Sequence, residues 1–149
     1  MVTRPHGFSL IELAITLALV GVLALMVGPF TINWLVLSDI QRAKGQLVQA
    51  HGVARAVALR NRPGLIGADA VVAIEVDDTS KELRVIGCTR TGCDGEPLWQ
   101  AQLPRGISLS FDSGATAIEL DNTGRLITVT GVVSYQISKG GQSEDGGLY

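Results

Sequence analysis

The chain is poor in the residues that build catalytic and metal sites. Its 149 residues include only two cysteines and two histidines. Cys88 and Cys93 cannot form a four-ligand zinc site, and His51 lies too far along the chain to complete one. No serine, cysteine or carboxylate pair has a plausible base beside it, and no phosphate-binding glycine loop stands at a strand-to-helix junction. We therefore expect no enzyme, no metal and no cofactor, and we interpret His51 as a packed or surface residue.

Charge is missing from a long segment near the N-terminus. Positions 13 to 32 hold no charged side chain across 20 residues. At a helical rise of about 1.5 Å per residue, this run spans about 30 Å, the thickness of a bilayer's hydrocarbon core. Glu12 precedes the run, and a charge at mid-bilayer costs about 2.5–3.5 kcal/mol on insertion scales. The segment predicts a transmembrane helix whose carboxylate needs a partner or a role.

A secretory cleavage site is also missing. A signal peptide carries a small-residue motif after its apolar region, whereas here Gly7 and Phe8 come before that region. The segment Gly7–Glu12, with Gly21 and Pro29 behind it, closely resembles the N-terminus of the type IV pilin family, which includes the pseudopilins of type II secretion. The resemblance implies that a prepilin peptidase cuts between Gly7 and Phe8. It also implies that Phe8 is N-methylated and that the apolar helix stays in the mature subunit.

The same resemblance gives Glu12, Gly21 and Pro29 a place in assembly. In a filament, the Glu12 carboxylate would pair with the N-terminal amine of Phe8 on an adjacent subunit. Because a buried charge left alone is penalised, this pair would favour correct axial register. The alternative is a glutamate that snorkels at the membrane edge. Pro29 lacks an amide hydrogen, so it should kink or loosen the helix one turn earlier.

An amphipathic stretch follows the apolar run. Apolar residues recur at spacings of three and four, which predicts a helix with one buried stripe. The stripe contains Val36, Ile40, Ala43, Leu47, Ala50, Ala54 and Val57. Pro63 cannot continue the hydrogen-bond ladder, so the helix should end near Asn61. A helix from about Phe8 to Asn61 would be about 80 Å long.

Short apolar segments between turn signals make up the rest of the chain and predict seven strands. These are 70–76, 82–86, 98–103, 107–111, 117–120, 126–130 and 132–137. The expected fold class is α+β, with a long N-terminal helix packed on an antiparallel β-sheet or sandwich, as in pilins. The predicted parts are a leader (1–7), a transmembrane or filament-core helix (8–32), an amphipathic stem (33–62), a β-rich periplasmic head (63–138) and a flexible tail (139–149).

Charge is divided unevenly between stem and head. Positions 33–62 have a net charge of +4, and positions 63–149 have a net charge of −6. This asymmetry favours head-to-stem contacts between neighbouring subunits, or a stem near anionic lipid headgroups. Solvated faces of opposite sign explain it equally well. In a head outside the cytoplasm, Cys88 and Cys93 are better explained as a disulfide than as free thiols.

The first function that fits is a minor pilin or pseudopilin that assembles into, or primes, a type II secretion pseudopilus or a type IV pilus. Segments 54–63 and 121–125 resemble GspH/FimT-like minor pilins more narrowly. The implied partners are a prepilin peptidase/methyltransferase, other pilins or pseudopilins in a helical filament, and an inner-membrane assembly platform. The implied location is the bacterial inner membrane, with a single span and a periplasmic head that moves into the filament.

Two other functions remain open. A FimT-like subunit at a pilus tip would bind DNA for uptake, and Arg105 and Arg125 could contribute, although the head is net acidic and DNA binding needs clustered cations. The third possibility is an unrelated single-span protein whose soluble head faces the periplasm.

Overall fold

The computed structural model describes residues 9–67, 69–128 and 131–149. These residues divide into two compact units, one that ends at Leu35 and one that runs from Val36 to Tyr149. The first unit is helical where it is described. The second contains the later part of the same helix and all the described strands. Gly7, Phe8 and the side chain of Pro29 lie outside the described residues.

Helix α1 runs from Leu10 to Arg60. Ser9 precedes it, and the Ser9 carbonyl accepts hydrogen bonds from the amides of Glu12 at 3.0 Å and Leu13 at 3.1 Å. Asn61 ends the helix in a left-handed conformation with φ of 36°, which is a common way for a helix to stop. The Asn61 side chain then exchanges two hydrogen bonds with the backbone of Leu65. The predicted end of the helix is therefore confirmed.

The apolar side chains described in the first unit are exposed. Leu10 is 85% exposed and Leu25 is 82% exposed. Within residues 9–67, 69–128 and 131–149, no helix has both the length and the apolar character needed to cross a membrane.

Two antiparallel sheets form the β part of the second unit. The strands are β1 (Val72–Asp77), β2 (Glu82–Gly87), β3 (Pro97–Gln102), β4 (Ser108–Phe111), β5 (Ala117–Leu120), β6 (Val133–Lys139) and β7 (Gln142–Leu148). The larger sheet has the order β3-β2-β1-β5, and the smaller has the order β4-β6-β7. A short 3₁₀ turn, Asp112–Gly114, follows β4.

One apolar core joins α1 to both sheets. The buried residues of the helix are Ile40, Ala43, Leu47, Ala50, Ala54 and Ala58. They share a cluster with Ile74 and Leu83 of the larger sheet and with Ile137 of the smaller one. This arrangement confirms the predicted α+β fold with an amphipathic helix on antiparallel sheets. The buried stripe ends at Ala58 rather than Val57, because a spacing of four from Ala54 keeps Ala58 on the same face.

The prediction of a flexible tail at 139–149 is wrong. Most of this segment is β7, which pairs with β6 from Val133 opposite Leu148 to Lys139 opposite Gln142. Gly140 and Gly141 have φ values of 57° and 82°, the conformation that a tight two-residue hairpin turn requires. The polar sequence of β7 was misleading because β7 is an edge strand whose side chains are mostly exposed.

The strand predicted at 126–130 is not present in the described residues. Leu126 makes a single isolated bridge with Leu120. The chain then turns, since the Thr128 amide bonds to the Leu126 carbonyl at 3.0 Å. Positions 129 and 130 lie outside the described residues. Leu126 is buried, so the apolar residues of this segment reflect packing in the core and not the hydrogen-bond ladder of a strand.

Candidate assembly site

Glu12 lies in the first turn of α1, where a negative charge complements the helix dipole. Its side chain is exposed, and so are the apolar neighbours Leu10, Ile11 and Leu13. Within the described residues, the Glu12 carboxylate has no ion-pair or hydrogen-bond partner. The carboxylate is therefore free to pair with a group outside the described part of this chain.

The helix surface beyond Glu12 is apolar and open. Apart from its two chain neighbours and the nearby backbone of its own helix, no described atom lies within 4 Å of the position that a Cβ at Gly21 would occupy. Gly21 therefore leaves the backbone accessible to another helix, and small residues allow such close approach. Large exposed side chains surround this opening, among them Leu17, Val20 and Leu25. A contiguous apolar surface of this kind marks a contact with lipid or with another protein.

In the second unit, two ion pairs hold the β6–β7 hairpin against α1. Lys44 Nζ lies 2.5 Å from Glu144 Oε1, and Lys139 Nζ lies 2.5 Å from Asp39 Oδ2. Gln41 adds a hydrogen bond to the other Glu144 oxygen at 2.6 Å. The hydrogen bond to Glu144 raises the pKa of Lys44 above its usual value. Some of the opposite charges of stem and head therefore pair with each other within one chain, and not between subunits.

The two segments behind the narrower family resemblance meet in the fold. A Cβ added to Gly124 would lie 2.8 Å from Arg55 Cγ and 3.6 Å from Leu59 Cγ. Asp121 shapes this turn, because its Oδ1 accepts hydrogen bonds from the Thr123 and Arg125 amides at 2.8 and 3.0 Å. Burial by itself would raise the pKa of Asp121. The hydrogen bonds from Thr123 and Arg125 outweigh burial, so the pKa of Asp121 is lowered. Asp121 is therefore a turn-building residue.

Arg55 and Arg125 line one cleft of about 540 Å³, together with Asp121. Arg105, the other cation considered for DNA binding, is exposed on the loop before β4 and does not line that cleft. The structure therefore places Arg125 and Arg55 in the lining of one cleft, which the sequence did not suggest, and Arg105 outside that cleft.

A disulfide joins Cys88 and Cys93. The enclosed loop folds back on itself, since the Thr89 amide donates to the Gly92 carbonyl at 2.8 Å. Cys88 is buried, and its amide donates to the Val71 carbonyl at 2.8 Å. The loop is thus fastened to the end of the larger sheet where β1 begins and β2 ends.

His51 is half-buried on α1, and its Nε2 atom is enclosed without a hydrogen-bond partner among the described residues. Burial, and secondarily the charge of Arg55, lowers the pKa of His51 below 6.5. The folded state therefore favours the neutral ring. The pKa of His51 is about 6.5 in the unfolded chain and lower in the folded one. His51 therefore contributes its full stabilisation above about pH 6.5, and this contribution is lost as the pH falls through the folded-state pKa.

We expect the second unit to become less stable between pH 7.5 and pH 5, and we expect His51→Gln to reduce this loss. Glutamine does not titrate, so it removes the cost of charging a half-buried ring. Urea unfolding midpoints of the full chain in detergent, measured at both pH values, test the effect. An equal drop in the wild type and in His51→Gln would assign the pH dependence to other groups.

The N-terminal motif and the fold have counterparts among known proteins. A family model described as the prokaryotic N-terminal methylation motif matches residues 3–28. A crystal structure of the type IV minor pilin FimU from Pseudomonas aeruginosa PAO1 superposes with a TM-score of 0.57 at 18% identity, covering 74% of this chain and 81% of that chain. The chain is type IV pilin-like. The match to the motif includes Gly7, Phe8, Glu12 and Gly21, and it ends one residue before Pro29.

At 18% identity, the likeness to FimU establishes the fold of this pilin-like chain. A second crystal form of FimU superposes with a TM-score of 0.41 at 15% identity, covering 66% of this chain and 82% of that chain, and carries no part of the argument. No curated protein matches the chain. None of these comparisons supports the DNA-binding alternative.

Proposed function

We propose that this pilin-like chain is a minor pilin or pseudopilin, a structural subunit that assembles into, or primes, a type IV pilus or a type II secretion pseudopilus. The observation that carries the proposal is the methylation motif at residues 3–28 on a chain with a pilin-like fold. The role is non-enzymatic, and the helix and head supply surfaces for packing. The narrower assignment to GspH/FimT-like subunits rests on the resemblance of segments 54–63 and 121–125, which lie close together in the fold.

Processing and location follow from the same motif. A prepilin peptidase/methyltransferase cleaves between Gly7 and Phe8 and methylates Phe8. The subunit waits in the bacterial inner membrane with its head in the periplasm, and an assembly platform moves it into a filament of other pilins or pseudopilins. The exposed apolar surface of residues 10–26 supports this proposal, because such a surface must be covered by lipid or by other helices.

Glu12 acts as the registering group. It is a lone carboxylate among exposed apolar side chains and has no partner among the described residues. When neighbouring helices bury it, the N-terminal amine of methylated Phe8 on an adjacent subunit supplies the compensating charge. Breaking a buried ion pair by removing one partner costs about 3–5 kcal/mol, so the pair is strong enough to select one axial position.

We expect Glu12→Ala to be cleaved but to reach filaments at least tenfold less than the wild type, because a loss of about 1.4 kcal/mol already corresponds to a factor of ten. The measurement is the ratio of the subunit in sheared filaments to the subunit in membranes. Thr16→Val is the matched control, since Thr16 lies one turn further along and, among the described residues, its hydroxyl bonds only to the Leu13 carbonyl of its own helix, at 2.8 Å.

Wild-type incorporation of Glu12→Ala would contradict the registering role. Mass spectrometry of the mature wild-type chain tests the processing itself. A chain that keeps positions 1–7, or whose Phe8 is unmethylated, would contradict the pilin assignment and favour an unrelated single-span protein.

A further inference from the structure

A groove of about 520 Å³ opens in the second unit between the end of α1 and the larger sheet. Apolar side chains form much of its lining, namely Val53, Val57, Val71 and Leu98. Arg60 and Arg62 also line it, and none of the described residues that line it carries a carboxylate. An apolar cavity of this size with a few convergent polar groups is the usual form of a binding site.

The two arginines of the groove are available for an outside partner. Both side chains are exposed, and neither has an ion-pair or hydrogen-bond partner within the described part of the chain. Four other cations of the second unit, namely Lys44, Lys81, Arg84 and Lys139, are engaged in ion pairs with carboxylates. Two free guanidinium groups beside an apolar cavity favour a ligand that has carboxylate groups and also an apolar part.

The groove adjoins an open strand edge. β3 is the outermost strand of the larger sheet, and Leu98, which lines the groove, is 57% exposed. Proteins protect edge strands with charges, prolines, bulges or a cover. β3 carries no charged residue, and Pro97 and the register shift in its pairing with β2 affect only the start of the strand. Of the two edge strands of the smaller sheet, β7 carries Glu144 and Asp145, and the shorter β4 is uncharged. An uncharged, open edge can accept an added strand.

We propose that the β3 edge and this groove receive an extended acidic segment of a different filament subunit. Its main chain pairs with β3, one of its apolar side chains enters the groove beside Leu98, and its carboxylates bind Arg60 and Arg62. That the partner is a filament subunit rests on the proposed function. That the surface binds an acidic, extended segment rests on the groove, the arginines and the strand edge alone.

Other occupants fit the surface less well. A nucleic acid would use the two arginines but would leave the apolar groove and the strand edge empty. A second copy of this chain would have to offer an acidic strand, and its acidic edge strand β7 is already committed. There, Glu144 is held by Lys44 and Gln41, and Asp145 accepts a hydrogen bond from Gln136 at 3.0 Å.

The first test uses the full chain in detergent micelles and two fluorescein-labelled hexapeptides. One has the sequence Glu-Ser-Val-Ser-Glu-Ser, so that both glutamates and the valine lie on one face of an extended strand, and the other has glutamine in place of both glutamates. Fluorescence anisotropy should show at least tenfold tighter binding of the glutamate peptide. The double variant Arg60→Gln/Arg62→Gln should abolish this preference. Arg42→Gln/Arg105→Gln removes the same charge from exposed arginines outside the groove, and it should retain the preference.

Two further measurements test the apolar contact and the strand pairing. Leu98→Ser should weaken binding of both peptides, whereas Leu59→Ser should not, because Leu59 is 61% exposed but does not line the groove. A glutamate peptide N-methylated at alternate amides cannot donate to β3 and should bind at least tenfold more weakly than its parent.

Equal binding of the two peptides by the wild type would overturn the proposal, and so would a preference that survives Arg60→Gln/Arg62→Gln. Light scattering that shows a dimer in the wild type but not in Leu98→Ser would make the occupant a second copy and overturn the assignment to a different subunit. Because the peptides need no filament, a wild-type chain that binds them but never enters filaments would contradict only the proposed function. A chain that enters filaments but does not bind them would contradict only this inference.

Discussion

Replacing Leu47 with alanine should lower the free energy of unfolding of the second unit by about 2–5 kcal/mol, the range for a buried leucine that leaves a cavity. Leu47 is fully buried, with 0% of its surface exposed. It lies in the middle of the buried stripe of α1, in the cluster that includes both sheets. The substitution therefore removes contacts in the layer that joins the helix to the sheets, where neighbours on two sides would have to move to refill the space.

Val48→Ala is the matched control for this experiment. Val48 is the next residue on the same helix, and it is 55% exposed, so its truncation should change stability by no more than about 0.5 kcal/mol. Urea unfolding of the full chain in detergent can be followed through Trp99, which packs partly against the core, in a Trp34→Phe background. Equal effects of the two substitutions would mean that Leu47 does not anchor the helix to the sheets.

The helix and its buried face could be predicted because their signals are local and periodic. Charge-free positions 13–32 and the recurrence from Ile40 to Ala54 need no knowledge of partners. The Asn61–Gly64 segment similarly contains its own stop signal, and the structure places the left-handed residue at Asn61. Short strands with alternating side chains, such as β4, were identified for the same reason.

The final hairpin could not be predicted, because what stabilises it lies far away in sequence. Glu144 and Lys139 are each 100 residues from the helix residue with which they form an ion pair. Seen alone, residues 139–149 are polar and rich in glycine, which is the composition of a mobile tail. The glycine pair 140–141 between two polar runs was the one local sign of a hairpin turn.

The candidate site shows the same division between local and distant signals. The segment from Gly7 to Glu12 is contiguous, so its chemistry can be inferred from the sequence. The groove near Leu98 is assembled from α1, the loop after it, and the ends of β1, β2 and β3. No spacing in the sequence relates Arg60 to Leu98, although Arg60 and Arg62 beside Pro63 were visible as cations at a helix end. Only the fold shows that they border an apolar cavity.

Replacing Gly146 with alanine should destabilise the second unit by about 1–3 kcal/mol, because it forces an extra carbon into a packed site. Gly146 lies opposite Tyr135 in the β6–β7 ladder. A Cβ at this position would lie within 2.4 Å of the Tyr135 ring carbon that carries the hydroxyl. Tyr135 is only 5% exposed, so the ring cannot move aside without disturbing the core.

Gly147→Ala separates this steric effect from the general effect of adding a methyl group to an edge strand. A Cβ at Gly147 meets its nearest neighbour, Val132 Cγ1, at 3.7 Å, an ordinary contact, so the change should be within about 0.5 kcal/mol. A double-mutant cycle with Tyr135→Val should recover most of the loss, since the smaller side chain makes room for the new carbon. If Gly146→Ala lowers the free energy of unfolding no more than Gly147→Ala does, the Tyr135 ring does not lie against the backbone of β7. In that case the ion pair between Lys44 and Glu144 must hold β7 to the helix without the contact from Tyr135.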